Sequence, residues 1–144
     1  MFRLALLGLP IALAASGCVV YDDPDPDVVV VQKNHSPVLV DGSAWVYYDA
    51  GLRDDIWTFD SVVDDPDGFR DIIGVWADVY DEWSGGVPVE SFELFPTNDP
   101  AYWFSDWYGS TTRLDPFYRG YTVDLVVYDT YEEFDWITVW AETY

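Results

Sequence analysis

The chain has 144 residues, 50% of them hydrophobic and 19% aromatic, and its formal net charge is −21. The length fits one domain with a single core. The acidic balance argues against nucleic acid and anionic lipid surfaces as partners, because like charges repel. It favours divalent cations, basic proteins or cationic polymers as partners, or else a solvated acidic coat that keeps an aromatic-rich domain in solution.

Residues 1–17 have the pattern of a cleavable secretion signal. Arg3 gives the start a positive charge, residues 4–15 are predominantly apolar, and small residues follow them. These are the parts of a secretory signal peptide. The apolar run is too short to span a membrane, which takes about 20 residues. We therefore expect this segment to be removed and the mature protein to be extracytoplasmic.

The segment Ala15-Ser16-Gly17-Cys18 resembles the lipobox of bacterial lipoproteins. The resemblance implies that the Cys18 thiol receives a diacylglycerol, that cleavage occurs just before it, and that the new amino terminus is acylated. Two or three acyl chains hold a protein stably on a membrane. Cys18 is the only cysteine, so a disulfide within the chain is excluded. The Asp that signals inner-membrane retention in enteric bacteria is replaced here by Val19, which favours the outer membrane or cell surface.

Residues 18–36 are expected to carry the acylated Cys and to form an acidic, Pro-rich tether. Asp residues alternate with Pro24 and Pro26. Repulsion between like charges and the restriction that Pro imposes on the preceding residue both favour an extended chain. His35, the only histidine, falls at the end of this segment. A single His without a Cys neighbour predicts no metal cluster, so we expect His35 to lie in solvent.

Residues 37–144 alternate apolar and polar side chains between recurring turn signals. Short runs rich in Val, Ile, Tyr and Trp with period two are typical of β-strands. Seven or eight such runs predict an all-β domain, a single immunoglobulin-like antiparallel β-sandwich. The strand candidates are Val38–Val40, Ala44–Tyr48, Asp55–Val63, Asp71–Asp81, Val89–Phe95, Tyr102–Tyr108, Tyr121–Asp129 and Phe134–Glu142. Asp41-Gly42 is the predicted turn between the first two.

The alternation also assigns an inner and an outer face to the strands. The residues expected to point into the core are Ile73, Val75, Ala77, Val79, Tyr121, Val123, Leu125, Val127, Ile137, Val139 and Ala141, with Trp57, Phe59 and Val63 opposite them. The residues expected on the outer face are Trp76, Tyr80, Tyr128, Trp136 and Trp140, mixed with Asp78 and Asp124.

Residues 56–81 and 121–129 resemble bacterial immunoglobulin-like and cadherin-like modules. In those modules an Asp-Pro-Asp-Gly turn, here residues 65–68, links the second and third strands. Residues 121–129 and the final strand resemble their closing hairpin. The resemblance implies the sandwich fold and a role as a spacer, an adhesion unit or an accessory domain.

Four carboxylates, those of Asp64, Asp65, Asp67 and Asp71, are expected to crowd one end of the domain. Hard cations take six to eight oxygen ligands, and a turn of this kind can present several of them around one point. The same turn also forms without a metal, because Pro presets φ and Gly accepts positive φ. The spaced acidic ligand of an EF-hand loop is missing. Calcium is thus the one cofactor that the sequence suggests.

The outer aromatic residues allow three interpretations. Aromatic rings on a flat sheet can hold sugar rings while nearby carboxylates bind the hydroxyl groups. An exposed apolar area of this kind also marks contacts with proteins. Cross-strand aromatic pairs can instead serve only to stabilise the sheet.

Catalysis has the weakest support in the sequence. With one His in the tether and one acylated Cys, neither a Ser-His-Asp nor a Cys-His arrangement can be assembled. We therefore predict a non-enzymatic, lipid-anchored lipoprotein that is a structural, adhesive or assembly component of the cell envelope, with an envelope protein or glycan as partner. The alternatives are a carbohydrate-binding module that uses the aromatic strip and a calcium-stabilised adhesion unit.

Overall fold

The computed structural model describes residues 33–143, and nearly all of their regular structure is β-strand. The strands are β1 (Val38–Asp49), β2 (Asp54–Asp64), β3 (Ile72–Tyr80), β4 (Glu90–Pro96), β5 (Tyr102–Tyr108), β6 (Thr122–Asp129) and β7 (Phe134–Thr143). One 3-10 turn, Gly109–Thr111, follows β5. Within this part of the chain no helix is long and apolar enough to cross a membrane. The expected signal peptide, Cys18 and the tether up to residue 32 lie outside the described residues.

The first two predicted strands are a single strand. β1 runs through the predicted turn at Asp41-Gly42, and a bulge between Leu39 and Asp41 shifts its register against β2. Gly42 is needed for close approach rather than for turning, since a Cβ there would clash with Cδ1 of Leu125 and with the Asp60 carbonyl oxygen. The structure therefore has seven strands where the sequence allowed seven or eight.

The predicted immunoglobulin-like sandwich is wrong, because the sheet closes into a seven-stranded barrel. The strand order is β1-β2-β5-β4-β3-β6-β7, and β7 returns to β1. Neighbours pair antiparallel, except at the β1–β7 contact, which is parallel and runs from Ala44↔Ala141 to Val46↔Thr143. On the other side, β4 and β5 are joined through Phe95↔Phe104 and Pro96↔Trp103. These two short seams remove the free edges that a sandwich would keep.

The inner face follows the predicted alternation with one exception. The residues expected in the core that are buried are Val75, Ala77, Val79, Tyr121, Val123, Leu125, Val127, Trp57, Phe59 and Val63. Ile137, Val139 and Ala141 are partly buried against them. Ile73 was expected inside but is 60% exposed, and Ile72 is buried instead. A bulge between Ile72 and Gly74 moves the alternation by one residue, which exchanges the two faces.

Three segments meet at one end of the barrel, which we call the acidic end. They are the chain leading into β1 (residues 34–36), the β2–β3 loop (residues 65–71) and the β6–β7 turn with the residues beside it (residues 129–133). Hydrogen bonds join them, from Asn34 to Asp129 and from His35 to Asp67. The predicted carboxylate cluster therefore lies where the chain enters the barrel.

Candidate functional site

The β2–β3 loop brings three carboxylates together. One oxygen from each of Asp65, Asp67 and Asp71 lies within 4.8 Å of the others. The loop folds back because the N–H of Gly68 donates to the Asp65 carbonyl at 2.9 Å, and the N–H of Asp71 donates to the Gly68 carbonyl at 3.0 Å. Gly68 has a φ of 103°, a conformation that side chains disfavour. The local Asp-Pro-Asp-Gly sequence thus produces the cluster.

Asp65 is the buried member of this cluster. Its side chain is 5% exposed, and its Oδ1 accepts the N–H of Asp67 at 2.7 Å. Its Oδ2 is buried and has no hydrogen-bond partner among the described residues. Burial raises the pKa of Asp65, and the nearby carboxylates of Asp71, Asp67 and Asp129 raise it further. A buried negative charge among other negative charges is unfavourable unless a proton or a cation neutralises it.

The other two carboxylates are more accessible and are held by donors from the rest of the acidic end. Oδ2 of Asp67 accepts the backbone N–H of His35 at 2.6 Å, and the His35 ring nitrogen Nδ1 lies 3.1 Å from Oδ1. The hydrogen bonds from the His35 side chain and backbone lower the pKa of Asp67. Asp71 accepts the Thr130 hydroxyl. His35, which the sequence predicted to lie in solvent, is 51% exposed and also contacts Asp67.

Asp64 does not join the cluster. It is exposed at the end of β2, and its Oδ1 accepts the N–H of Asp65 at 2.9 Å. The structure therefore brings together three of the four residues that the sequence suggested for calcium.

Asp129 is a second buried carboxylate at the acidic end, and the sequence analysis missed it. It is fully buried, and its Oδ1 accepts the N–H groups of Tyr131 and Glu133, each at 2.8 Å. Oδ2 accepts the Asn34 side-chain amide at 2.7 Å. Burial, the largest influence, raises the pKa of Asp129, but the three hydrogen bonds together bring it below the ordinary value. The one signal in the sequence was an Asp that directly precedes a turn.

The five outer aromatic residues share a face, but they do not form one continuous strip. Cross-strand pairing places Trp76 and Trp136 on either side of Val126, and Tyr80 and Trp140 on either side of Thr122. The predicted residues with the largest exposed fractions are Trp136 at 53% and Trp140 at 66%. Phe134, which the sequence analysis left out, extends the face, because its ring lies 5.7 Å from Tyr128 and 5.8 Å from Trp136.

A polar row separates these aromatic residues into two groups. Asp78 of β3 lies directly opposite Asp124 of β6. Ser91 donates its hydroxyl to Asp78 at 2.5 Å, and Thr138 donates to Asp124 at 2.6 Å. Like charges directly opposite each other destabilise a sheet, so this row is suited to a positively charged partner. Burial and these two carboxylates raise the pKa of the neighbouring Tyr80 hydroxyl.

A groove on the opposite outer face, across β1, β2 and β5, was not predicted. It is open to solvent, has a volume of about 390 Å³ and is lined by Trp45, Tyr47, Thr58, Phe104 and Asp106. Thr58 is 2% exposed although it points away from the core, because the aromatic side chains of β1 and β5 cover it. The only signal in the sequence was the run of four apolar or small residues at 56–59, in which both faces of β2 are buried.

Comparison of the chain with protein-family models, curated proteins and solved structures finds no match. Three places in the described part of the chain have a geometry that points to function: the acidic end, the outer aromatic face and the groove.

Proposed function

We propose that the chain is an extracytoplasmic, lipid-anchored, non-enzymatic component of the cell envelope, and that calcium stabilises its barrel at Asp65, Asp67 and Asp71. The observation that carries the proposal is the buried Oδ2 of Asp65, which has no donor among residues 33–143. The acylation of Cys18 stays a prediction of the sequence, and loss of palmitate labelling in Cys18→Ser would support it.

The donor set of the cluster fits a hard cation. It consists of carboxylate oxygens, which calcium prefers, and it contains no thiolate. Three carboxylates supply between three and six ligands, so backbone carbonyls or water would complete a coordination number of six to eight. A divalent ion would neutralise Asp65 and so offset the burial, and the smaller repulsion from neighbouring carboxylates, that raise its pKa.

The exposed aromatic face supports a contact with an envelope protein. Its rings are large and accessible, as in surfaces that bind partners. The facing carboxylates of Asp78 and Asp124 already accept hydroxyl groups from within the sheet, and their charges are complementary to basic side chains. This arrangement favours a basic protein surface over a neutral sugar. The carbohydrate-binding alternative stays a prediction.

Thermal unfolding with calcium or with EDTA, at matched ionic strength, tests the cation site. Ionic strength must be matched because salt alone screens a charge of −21. At 100 times its dissociation constant a ligand stabilises a protein by about 2.7 kcal/mol. For a domain of this size, we expect the melting temperature to rise by roughly 10 °C or more.

Neighbouring aspartates provide matched variants for this experiment. Asp65→Asn and Asp67→Ala should abolish the rise, whereas Asp64→Asn, which removes an adjacent charge outside the cluster, should preserve it. An equal rise in all three variants would show that calcium acts on the acidic surface in general. No rise in the unsubstituted protein would show that calcium does not stabilise the barrel, and the calcium proposal would be wrong.

A further inference from the structure

The groove on β1, β2 and β5 is shaped by strand pairing. Trp45 of β1 and Asp106 of β5 both pair with Thr58 of β2, so they lie on either side of it. Thr58 forms the floor and donates its hydroxyl to Oδ1 of Asp106 at 2.6 Å. Tyr47 and Phe104 occupy neighbouring rows on the two sides. The result is a small site with aromatic walls and one fixed carboxylate.

The carboxylate of Asp106 affects the titration of a tyrosine that lines the groove. Burial raises the pKa of the Tyr47 hydroxyl, and Asp106 is the next largest cause. Burial, Asp60 and Asp106 raise the pKa of Tyr102 on the same face. Asp106 itself is exposed, so its carboxylate is accessible to a cation that enters the groove from solvent.

These features exclude most classes of small ligand. A neutral apolar molecule would cover Asp106 without compensating its charge, which is costly. A sugar would need several donors and acceptors, but the Thr58 hydroxyl is already committed to Asp106. A divalent metal would find a single carboxylate among the lining residues. An anion would be repelled by Asp106 and by the net charge of −21.

An organic cation can interact favourably both with the aromatic rings and with the carboxylate of the groove. Trp, Tyr and Phe faces attract cations, and aromatic sites of this kind are suited to quaternary ammonium groups. A primary ammonium is strongly hydrated and has three N–H donors, and the groove offers one carboxylate for them. A quaternary ammonium has no N–H group to satisfy. The groove volume of about 390 Å³ suits a small molecule.

We propose that the groove formed by Trp45, Tyr47, Thr58, Phe104 and Asp106 binds a small quaternary ammonium compound that carries no anionic group. This site is independent of the calcium cluster, so either proposal can fail while the other holds. Trp45, Tyr47 and Phe104 would surround the methyl groups, and Asp106 would balance the charge from one wall.

Titration with choline and with its uncharged isostere 3,3-dimethylbutan-1-ol tests this site. The two probes have the same shape, so any difference in affinity reports on the charge. Binding would be followed in the full chain by NMR shifts of the backbone amides of residues 45, 47, 58, 104 and 106, at constant ionic strength. We expect choline to bind at least tenfold more tightly than the isostere. Equal affinities would overturn the proposal, as would shifts spread over the whole surface.

Two aspartate variants separate the local charge from the overall charge. Asp106→Asn should weaken choline binding about tenfold, because its amide oxygen can still accept from Thr58 while the charge is lost. Asp54→Asn is the matched control, since Asp54 also accepts a hydroxyl, that of Ser110, and does not line the groove. It should leave the affinity unchanged. If both substitutions weakened choline binding equally, the net charge of the protein and not the position of Asp106 would explain the effect. That result would overturn the proposal.

The identity of the cation is tested with butylammonium. We expect it to bind at least fivefold more weakly than choline. Equal or tighter binding of butylammonium would show that the groove accepts lysine-like groups, and the assignment to quaternary ammonium would be wrong. Phe104→Ala should weaken choline binding, whereas Trp83→Ala, which removes an exposed ring outside the groove and outside the outer aromatic face, should not.

Discussion

Asp65 and Asp129 are two buried aspartates at the same end of the barrel, and they differ in how their charge is held. Asp129 accepts three hydrogen bonds, and its pKa is lowered in spite of full burial. Asp65 accepts one, leaves Oδ2 without a partner among the described residues, and has a raised pKa. Hydrogen-bond donors, and not burial alone, therefore decide whether a buried carboxylate is stable as an anion.

The comparison also divides the acidic end by role. Asp129 ties two distant parts of the chain together, since its donors come from its own turn and from Asn34, which is 95 positions away. Asp65 has neighbours that are themselves acidic, so nothing among residues 33–143 neutralises it. Asp129 therefore stabilises the fold, whereas the buried charge of Asp65 is favourable only when a ligand or a proton neutralises it.

The largest effect is expected from Asp129→Ala. This change leaves the backbone N–H groups of Tyr131 and Glu133 without their acceptor, and it leaves the Asn34 amide with Glu133 alone. It should lower the free energy of unfolding by about 3 kcal/mol. Urea denaturation in EDTA measures it. Asp124→Ala, which removes a surface carboxylate with one hydroxyl donor, is the control and should cost less than about 1 kcal/mol. If the two substitutions lowered the free energy of unfolding equally, the hydrogen bonds of Asp129 would contribute no more than those of a surface carboxylate.

A smaller effect of opposite sign is expected from Asp65→Asn. In EDTA at neutral pH the substitution removes an unpaired buried charge, and the new amide can donate to the neighbouring carboxylates. The free energy of unfolding should therefore rise by about 1 kcal/mol. Saturating calcium should reverse the order of the two proteins. A lower free energy of unfolding for Asp65→Asn in EDTA would contradict the view that Asp65 carries an uncompensated buried charge.

The smallest expected effect is on the pH dependence of the free energy of unfolding, in which Asp65 and Asp129 should differ in sign. The folded pKa of Asp65 lies above its unfolded value of about 3.9. Its contribution to stability is thus present below that value and is lost as the pH rises through the folded pKa. The advantage of Asp65→Asn should therefore disappear as the pH falls towards 4.

Asp129 should respond to pH in the opposite sense. Its folded pKa lies below the unfolded value, so its contribution is present above about pH 4 and is lost as the pH falls through the folded pKa. Urea denaturation of the three proteins across pH 3–7 measures both trends. Parallel pH profiles for the two substitutions would contradict the distinction between the two aspartates.

The sequence was sufficient where structure depends on neighbours along the chain. Asp65, Asp67 and Asp71 lie in one loop, so the local turn brings their carboxylates together. The alternation along β6 placed Val123, Leu125 and Val127 in the core. Both inferences need only the geometry of a turn or of a strand.

The rest depends on pairings between distant segments. The sandwich and the barrel have the same alternation, and they differ in whether Pro96 meets Trp103 and whether β7 reaches β1. The groove arises because β5 lies beside β2, which brings Phe104 close to residues of β1. Asp129 depends on Asn34 in the same way. Strand order is not encoded in period two, so these features could not be derived from it.

The parallel contact between β1 and β7 has a mechanical consequence. Because the two strands run in the same direction, the chain enters β1 at the acidic end and leaves β7 at the opposite end. A pull applied at Lys33 and Thr143 would slide these strands along each other, so the hydrogen bonds of the seam would be loaded together and not broken one by one. The barrel is therefore oriented to resist tension along its length, with Asn34 and His35 fastened at the point where the force would enter.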